Sequence, residues 1–151
     1  MTDSDTRLQM KKLIKAKRQT VYEAWVQPEM IQKWIAPGTL KVPSAKVELK
    51  VGGAYKIEME GDMRGQHFEG VVIGTYKNII PNELLCFTWQ WQEKDMRDRV
   101  GDTLVTVEFK DVDDGTEVTL THERFATAAG RDGHQSGWTD SLEKLTKIMT
   151  V

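Results

Sequence analysis

From residue 45 to residue 125 the chain repeats one pattern six times: AKVELK, GAYKIEME, HFEGVVIGTYK, ELLCFTWQW, DTLVTVEFK and TEVTLTHERF all alternate apolar and polar residues. A period of two sends successive side chains to opposite sides of a strand, so each segment reads as a strand with one buried and one wet face. The connectors carry turn chemistry: Gly52-Gly53, Gly61 with Asp62 and Gly65, Pro81-Asn82, and Asp113-Asp114-Gly115. Connections this short join antiparallel neighbours. An antiparallel sheet with one apolar face must be covered by something.

The cover is legible at the C-terminus. Across GHQSGWTDSLEKLTKIMTV the residues Trp138, Leu142, Leu145 and Met149 recur at helical spacing, Ile148 widens the stripe, and Asp140, Glu143, Lys144 and Lys147 fall mainly on the opposite side. At the other end LQMKKLIKAK reads as a first strand through Leu8, Met10, Ile14 and Ala16, with Lys12 interrupting the pattern. Thr20 with Glu23 three residues later matches a capping box ahead of VYEAWV. Pro28 fits the first turn of a second helix, PEMIQKWI, which Pro37 and Gly38 terminate. The order is strand, two short helices, six strands, long helix. It predicts an α+β helix-grip fold, a curved antiparallel sheet around a long C-terminal helix with two short helices after the first strand. Residues 1–7 are expected to be a flexible N-terminal segment and residues 8–151 a single domain, since no linker or internal repeat divides the chain.

Composition narrows function mainly by exclusion. Twenty-one basic against 23 acidic residues leave a net charge of −2. The basic group Lys11, Lys12, Lys15, Lys17 and Arg18 is too small a field, without a reading element, to imply nucleic acid. No apolar run approaches the ~18 residues of a spanning helix, so membrane insertion is not expected. The opening MTDSDTRLQMKKL lacks the apolar segment of a secretion signal, which makes the cytoplasm the expected location. The sole cysteine, Cys86 in LLCFTW, has no partner for an internal disulfide and is expected as a small buried thiol.

Strand parity places Leu85, Phe87, Trp89 and Trp91, then Thr103, Val105, Val107 and Phe109, then Val118, Leu120 and His122 on one face. A strongly curved sheet would let part of that face line a cavity beneath Trp138. The candidate ligand-binding set is Phe87, Trp89, Val105, Val107, Leu120, His122, Trp138 and Leu142, an aromatic and aliphatic surface suited to a small apolar or aromatic molecule. His122 is the candidate catalytic residue because its imidazole can exchange a proton near neutrality. The competing reading of His122 is a core histidine tied to a backbone carbonyl or carboxylate.

No metal is expected: THERF fails the HExxH pattern, and His67 and His134 are far from His122 in sequence. Glu58 and Glu60, like Lys46, Glu48 and Lys50, share strand parity and read as an outward face of cross-strand charge pairs. There is no GxSxG elbow, no GxGxxG and no GxxxxGK[ST], so neither a serine nucleophile nor a nucleotide site is signalled, and no cofactor is implied.

Several phrases together carry a family resemblance: AKRQTVYEAWVQPEMIQKWIAP, VELKVGGAYKIEM, and TLVTVEFKDVDDGTEVTLTHERF followed by GWTDSLEKL. In this order, over nearly the whole chain, they resemble the Hsp90-ATPase-activator-homologue-like branch of the START/Bet v 1-like superfamily. Trp25 and Trp34 match its early W-to-W segment, Gly52 and Gly53 its hairpin, His122 its THERF-like strand, and Gly137 with Trp138 the start of its GW-x-x-x-L helix. The chain departs from the common phrases at Lys17, where an AP dipeptide often stands, at Ile35 within a frequent WW pair, and at Glu48 and Lys50 in place of Asp and Arg. The resemblance implies a helix-grip fold with a pocket between sheet and terminal helix. It also implies three kinds of function: a soluble protein binding a small apolar or aromatic compound, a cyclase or hydrolase of a hydrophobic substrate using His122, or a chaperone-interacting or regulatory protein module. Fold alone does not choose among them.

Overall fold

A computed structural model describes residues 6–63, 65–93 and 103–149. The chain begins with β1 (Arg7–Ile14), followed by α1 (Arg18–Val26) and α2 (Pro28–Trp34). Six strands come next: β2 (Lys41–Val47), β3 (Ala54–Met63), β4 (Gln66–Ile80), β5 (Leu84–Glu93), β6 (Thr103–Val112) and β7 (Gly115–Glu123). The long helix α3 (Ala128–Met149) closes the chain. All seven strands form one antiparallel sheet in the order β1-β7-β6-β5-β4-β3-β2, so β1 and β2 are its edges. The sheet curves around α3, and the architecture is the helix-grip fold.

The parity expected of the inner face holds. Leu85, Phe87, Trp89, Thr103, Val105, Val107, Phe109, Val118, Leu120 and His122 are all buried. Trp91, near the end of β5, is half-buried. From α3, Trp138, Leu142 and Leu145 join the same core, with Ile148 and Met149 packed at its margin. The short helices seal one end of the sheet: Val21, Tyr22, Trp25, Ile31 and Trp34 are buried. The Trp34 indole donates to the Ala24 carbonyl at 2.9 Å, tying α2 to α1.

Lys12, which breaks the alternation of β1, turns toward the helix side and meets Glu143 of α3 at 2.6 Å. A charge pointing inward on an edge strand discourages pairing with another sheet, and here it also has a partner.

Several boundaries differ from the sequence reading. Helix α1 starts at Arg18, its N-cap is Lys17, and no side chain caps it, so Thr20 lies within the first turn and forms no capping box. Glu23 instead accepts from Gln19 on the outer surface. The second strand spans 41–47 and not AKVELK, because Glu48 to Gly53 form the turn into β3, where Gly52 holds φ +85°. Gly61 and Asp62 belong to β3, which runs on until Met63 pairs with Gln66.

The outward charges also pair differently. Lys46 stands opposite Lys56, and the ion pairs run along the chain, Lys50 with Glu48 and Lys56 with Glu58, each at 3.7 Å. Cys86 is half-buried on the outer face beside Thr106, because odd-numbered neighbours on β5 take the inside. Strand β7 stops at Glu123, and Arg124 takes φ +72°. Helix α3 begins five residues before Gly133, where Thr127 accepts the Gly130 N–H at 3.0 Å. Arg7 is already in β1, while residues 1–5 of the expected N-terminal segment lie outside the described residues.

Candidate functional site

The grip is incomplete at one end. Where the first turns of α3 cross the sheet, a cavity of about 310 Å³ opens between helix and strands. Met59 of β3, Phe68 of β4, and Trp89 and Trp91 of β5 form its sheet wall. Ile35, Pro37 and Leu40, following α2, form its side. The helix contributes Ala129, Gly130, Gly133, His134, Gly137, Trp138 and Ser141.

Local sequence explains the gap. The opening of α3 lines the cavity with Ala129, Gly130, Gly133 and Gly137, which have a methyl group or no side chain to fill it. A Cβ placed on Gly133 would meet nothing within 4 Å. On the facing wall, Phe68 and Trp91 pack edge to face at 6.0 Å across Gly70. A Cβ at Gly70 would come within 2.7 Å of the Phe68 ring, so the aromatic wall depends on that glycine.

The side-chain polar atoms of Trp91, His134 and Ser141 around the cavity are bonded to the protein, whereas the buried indole N–H of Trp89 has no partner among the described residues. Trp91 Nε1 donates to His134 Nε2 at 2.8 Å, and the other ring nitrogen of His134, Nδ1, lies 2.7 Å from the Gly130 carbonyl. An indole N–H only donates, so His134 Nε2 carries the lone pair and Nδ1 the hydrogen. Ser141 Oγ lies 2.7 Å from the Ile35 carbonyl and 3.0 Å from that of Gly137, and its single hydrogen is shared between them. Just beyond, Lys144 Nζ donates to the Ala36 carbonyl at 2.5 Å. Together Ser141 and Lys144 occupy carbonyls at the end of α2 and fix the side wall to α3. No Asp, Glu, Lys or Arg is among the lining residues.

His122 lies behind this cavity in the core. The register places it between Leu8 of β1 and Val105 of β6. It is fully buried, with Nδ1 accepting from Trp138 Nε1 at 3.0 Å and Nε2 lying 2.6 Å from Thr103 Oγ1. The same logic fixes its tautomer: Nε2–H donates to Thr103, whose hydroxyl donates onward to the Trp89 carbonyl at 2.7 Å. Burial pushes the His122 pKa well below the usual histidine value, and nearby His134 pushes it the same way. Burial also lowers the pKa of His134, partly offset by its bond to Gly130. Both imidazoles are therefore neutral at pH 7.

Of the candidate binding residues, the structure brings Trp89 and Trp138 into the cavity lining, their rings 5.1 Å apart. Phe87, Val105, Val107, Leu120, His122 and Leu142 are buried in the packed core and are not among the lining residues. His134 and His122 do meet, with ring centroids 5.1 Å apart. His67 sits exposed on the β3–β4 hairpin between Asp62 and Glu69, which raise its pKa. Among the described residues no group of three or more His, Cys, Asp or Glu is placed to hold a metal ion.

The sequence reading did not assign Ile35, Pro37, Leu40, Met59, Phe68, Ala129, Gly130, Gly133, His134, Gly137 and Ser141 to the site. The available signal was the spacing of Gly130, Gly133 and Gly137, three poor helix formers on one helix face.

A helix that grips an incurved sheet is shared well beyond this chain. The family model described as "Activator of Hsp90 ATPase homolog 1-like protein" matches residues 15–150. The chain belongs to that family. Its fold recurs in a protein from Arthrobacter aurescens, solved in solution, at TM-score 0.84 and 17% identity over 99% of this chain and 89% of the other. A crystal structure from Chromobacterium violaceum gives TM-score 0.81 and 24% identity over 97% and 98%. An AHSA1-like protein from Aeromonas hydrophila gives 0.73 and 22% over 93% and 90%. These likenesses establish the Bet v 1-like fold. No curated protein matches the chain. No helix among the described residues is long and apolar enough to cross a membrane.

Proposed function

We propose that this family member is a binding module for a small, neutral apolar or aromatic compound held in the cavity between β3–β5 and the first turns of α3. The observation that carries the reading is the lining: aromatic and aliphatic side chains around about 310 Å³, with no Asp, Glu, Lys or Arg, and with the side chains of Trp91, His134 and Ser141 bonded to the protein. Desolvating an anion there would cost several kcal/mol with no cation to offset it, whereas apolar area drives a neutral ligand in. A cavity of ~150 Å³ accommodates benzene, so twice that volume suits about two fused rings. Ser141 Oγ uses its hydrogen on the protein and keeps a lone pair for a ligand O–H or N–H.

The alternatives draw less support. A cyclase or hydrolase using His122 needs a ring nitrogen free to meet substrate, and both are engaged in the core. A chaperone-interacting or regulatory role rests on the family description alone.

Two measurements test the reading. Native mass spectrometry of protein purified from its own host should find a retained neutral aromatic compound. Titration with 2-naphthol should perturb the tryptophan fluorescence saturably at one equivalent, with the anion 2-naphthoate at least about tenfold weaker. Tighter binding of the anion, or no saturable binding of any neutral aromatic compound, would reject the reading.

A further inference from the structure

We propose that the Trp91–His134 hydrogen bond is a proton-sensitive latch: it holds the first turns of α3 against β5, and protonation of His134 releases them and opens the cavity. Its physiological meaning rests on the binding reading above, but the device itself is a property of the ligand-free fold.

The argument is one of donors and acceptors. Trp91 Nε1–H and His134 Nε2 are 2.8 Å apart, and the bond exists only while Nε2 offers a lone pair. A proton on Nε2 sets two donors against each other at that distance. His134 Nδ1–H remains committed to Gly130 in its own helix, which holds Nε2 facing the Trp91 donor. Each donor then needs water, and the nearest open volume is the cavity both residues line.

The ionisable group that faces His134 from β7 is His122, at 5.1 Å between centroids, and a charge on His134 would be repelled by any proton there. Among the described residues its other neighbours from the sheet side are aromatic rings, Phe125 at 5.0 Å and Trp91 of β5 at 6.3 Å. On its own helix, the neighbouring charges Arg131 and Asp132 bond to each other at 2.9 Å. Burial, which already lowers the His134 pKa, places the transition on the acid side of the ordinary histidine range.

The segment it controls is weak by composition. Gly130, Gly133 and Gly137 each cost a helix ~1 kcal/mol relative to alanine, so these turns depend on tertiary tethers. Among the described residues two side-chain hydrogen bonds tie them to the sheet, one helical turn apart and opposite in sense. His134 accepts an indole N–H from β5, and Trp138 gives its indole N–H to His122 of β7. The second lies fully in the core. Beyond it the helix is held by Leu142, Leu145 and Ser141, which carry no ionisable group, and by Lys144. Release therefore stops near Trp138.

Amide hydrogen exchange of the ligand-free protein, corrected for intrinsic rates, tests this at pH 7.5 and 5.5. Residues 131–137 should lose protection by about tenfold or more at pH 5.5, and by more than residues 142–148, whose amides follow only the acid destabilisation of the fold as a whole. His134→Gln supplies an acceptor that does not titrate and should keep the segment protected at both pH values. Trp91→Phe removes the donor and should give the lower protection at both. Protection independent of pH in the natural protein overturns the latch, as does an equal loss along the whole helix or a pH response that survives Trp91→Phe. Failure of 2-naphthol to bind would reject the cavity's proposed function and leave this result untouched.

Discussion

Trp138 donates its indole N–H to Nδ1 of His122 at 3.0 Å, joining the gripping helix to β7, the neighbour of the edge strand β1, by a buried hydrogen bond. Around it Trp138 stacks on Trp25 at 5.9 Å and tilts against Trp89 at 5.1 Å, so one side chain connects α1, β5, β7 and α3. The bond also determines which His122 nitrogen carries hydrogen, and through Thr103 it reaches the backbone of β5. A histidine so placed serves as a structural polar link.

Trp138→Ala should therefore lower stability by about 3 to 5 kcal/mol, the usual cost of truncating a large buried aromatic. Trp138→Phe should cost less, about 1 to 3 kcal/mol, mostly for leaving the His122 acceptor buried and unpaired. Urea denaturation at pH 7.5 measures both. A loss below about 1 kcal/mol for the alanine variant would show that the indole has no central role.

The same histidine makes the fold acid-sensitive. Its folded pKa is depressed well below the unfolded value near ~6.5, so on acidification the unfolded chain takes up a proton before the folded one does. The stabilisation is thus complete above about pH 6.5 and is lost as pH falls toward the folded pKa. The slope reaches about 1.4 kcal/mol per pH unit for one such proton. Denaturation midpoints between pH 7.5 and 5 should fall accordingly, and His122→Gln, whatever its starting stability, should flatten the part of the slope that His122 supplies. An unchanged slope in that variant would assign the acid sensitivity elsewhere.

What the sequence could and could not disclose follows from what a period measures. Alternation along β5, β6 and β7 reports which face a residue takes, and Val105, Leu120 and His122 are indeed inside. It does not report what lies opposite. Whether an inward residue meets packed side chains or open space depends on the helix across from it. Leu142 and Leu145 fill the core, whereas Gly130 and Gly133 leave a void, so the cavity lies toward the start of α3. The Trp91–His134 bond crosses 43 positions of sequence and has no periodic signature. Thr20 and Glu23 have the spacing of a capping box, but α1 begins two residues before Thr20, and spacing cannot fix that start.

Lys12 offers a test of edge protection. Its pair with Glu143 is partly exposed, and screened pairs of this kind add little to stability. Lys12→Leu should leave the urea midpoint nearly unchanged while giving the edge strand β1 an uninterrupted apolar inner row. Light scattering during refolding should then show more association than in the natural protein. Equal scattering at equal concentration would mean that Lys12 does not protect the edge.

The glycines of α3 set stability against an open cavity. Because a Cβ at Gly133 meets nothing within 4 Å, Gly133→Ala should gain helix propensity without a clash and stabilise the protein by about 0.5 to 1 kcal/mol. Gly133→Leu extends four carbons into the same space. It should be at least as stable as the natural protein while losing most of its affinity for 2-naphthol, since the added side chain occupies the volume and contacts that a ligand would use. Thermal unfolding and fluorescence titration of the two variants separate the outcomes. A leucine variant that is stable and still binds as tightly as the natural protein would place the ligand elsewhere. One that is destabilised by more than about 1 kcal/mol would mean that the space beside Gly133 is too small for a side chain, and hence for a bicyclic ligand.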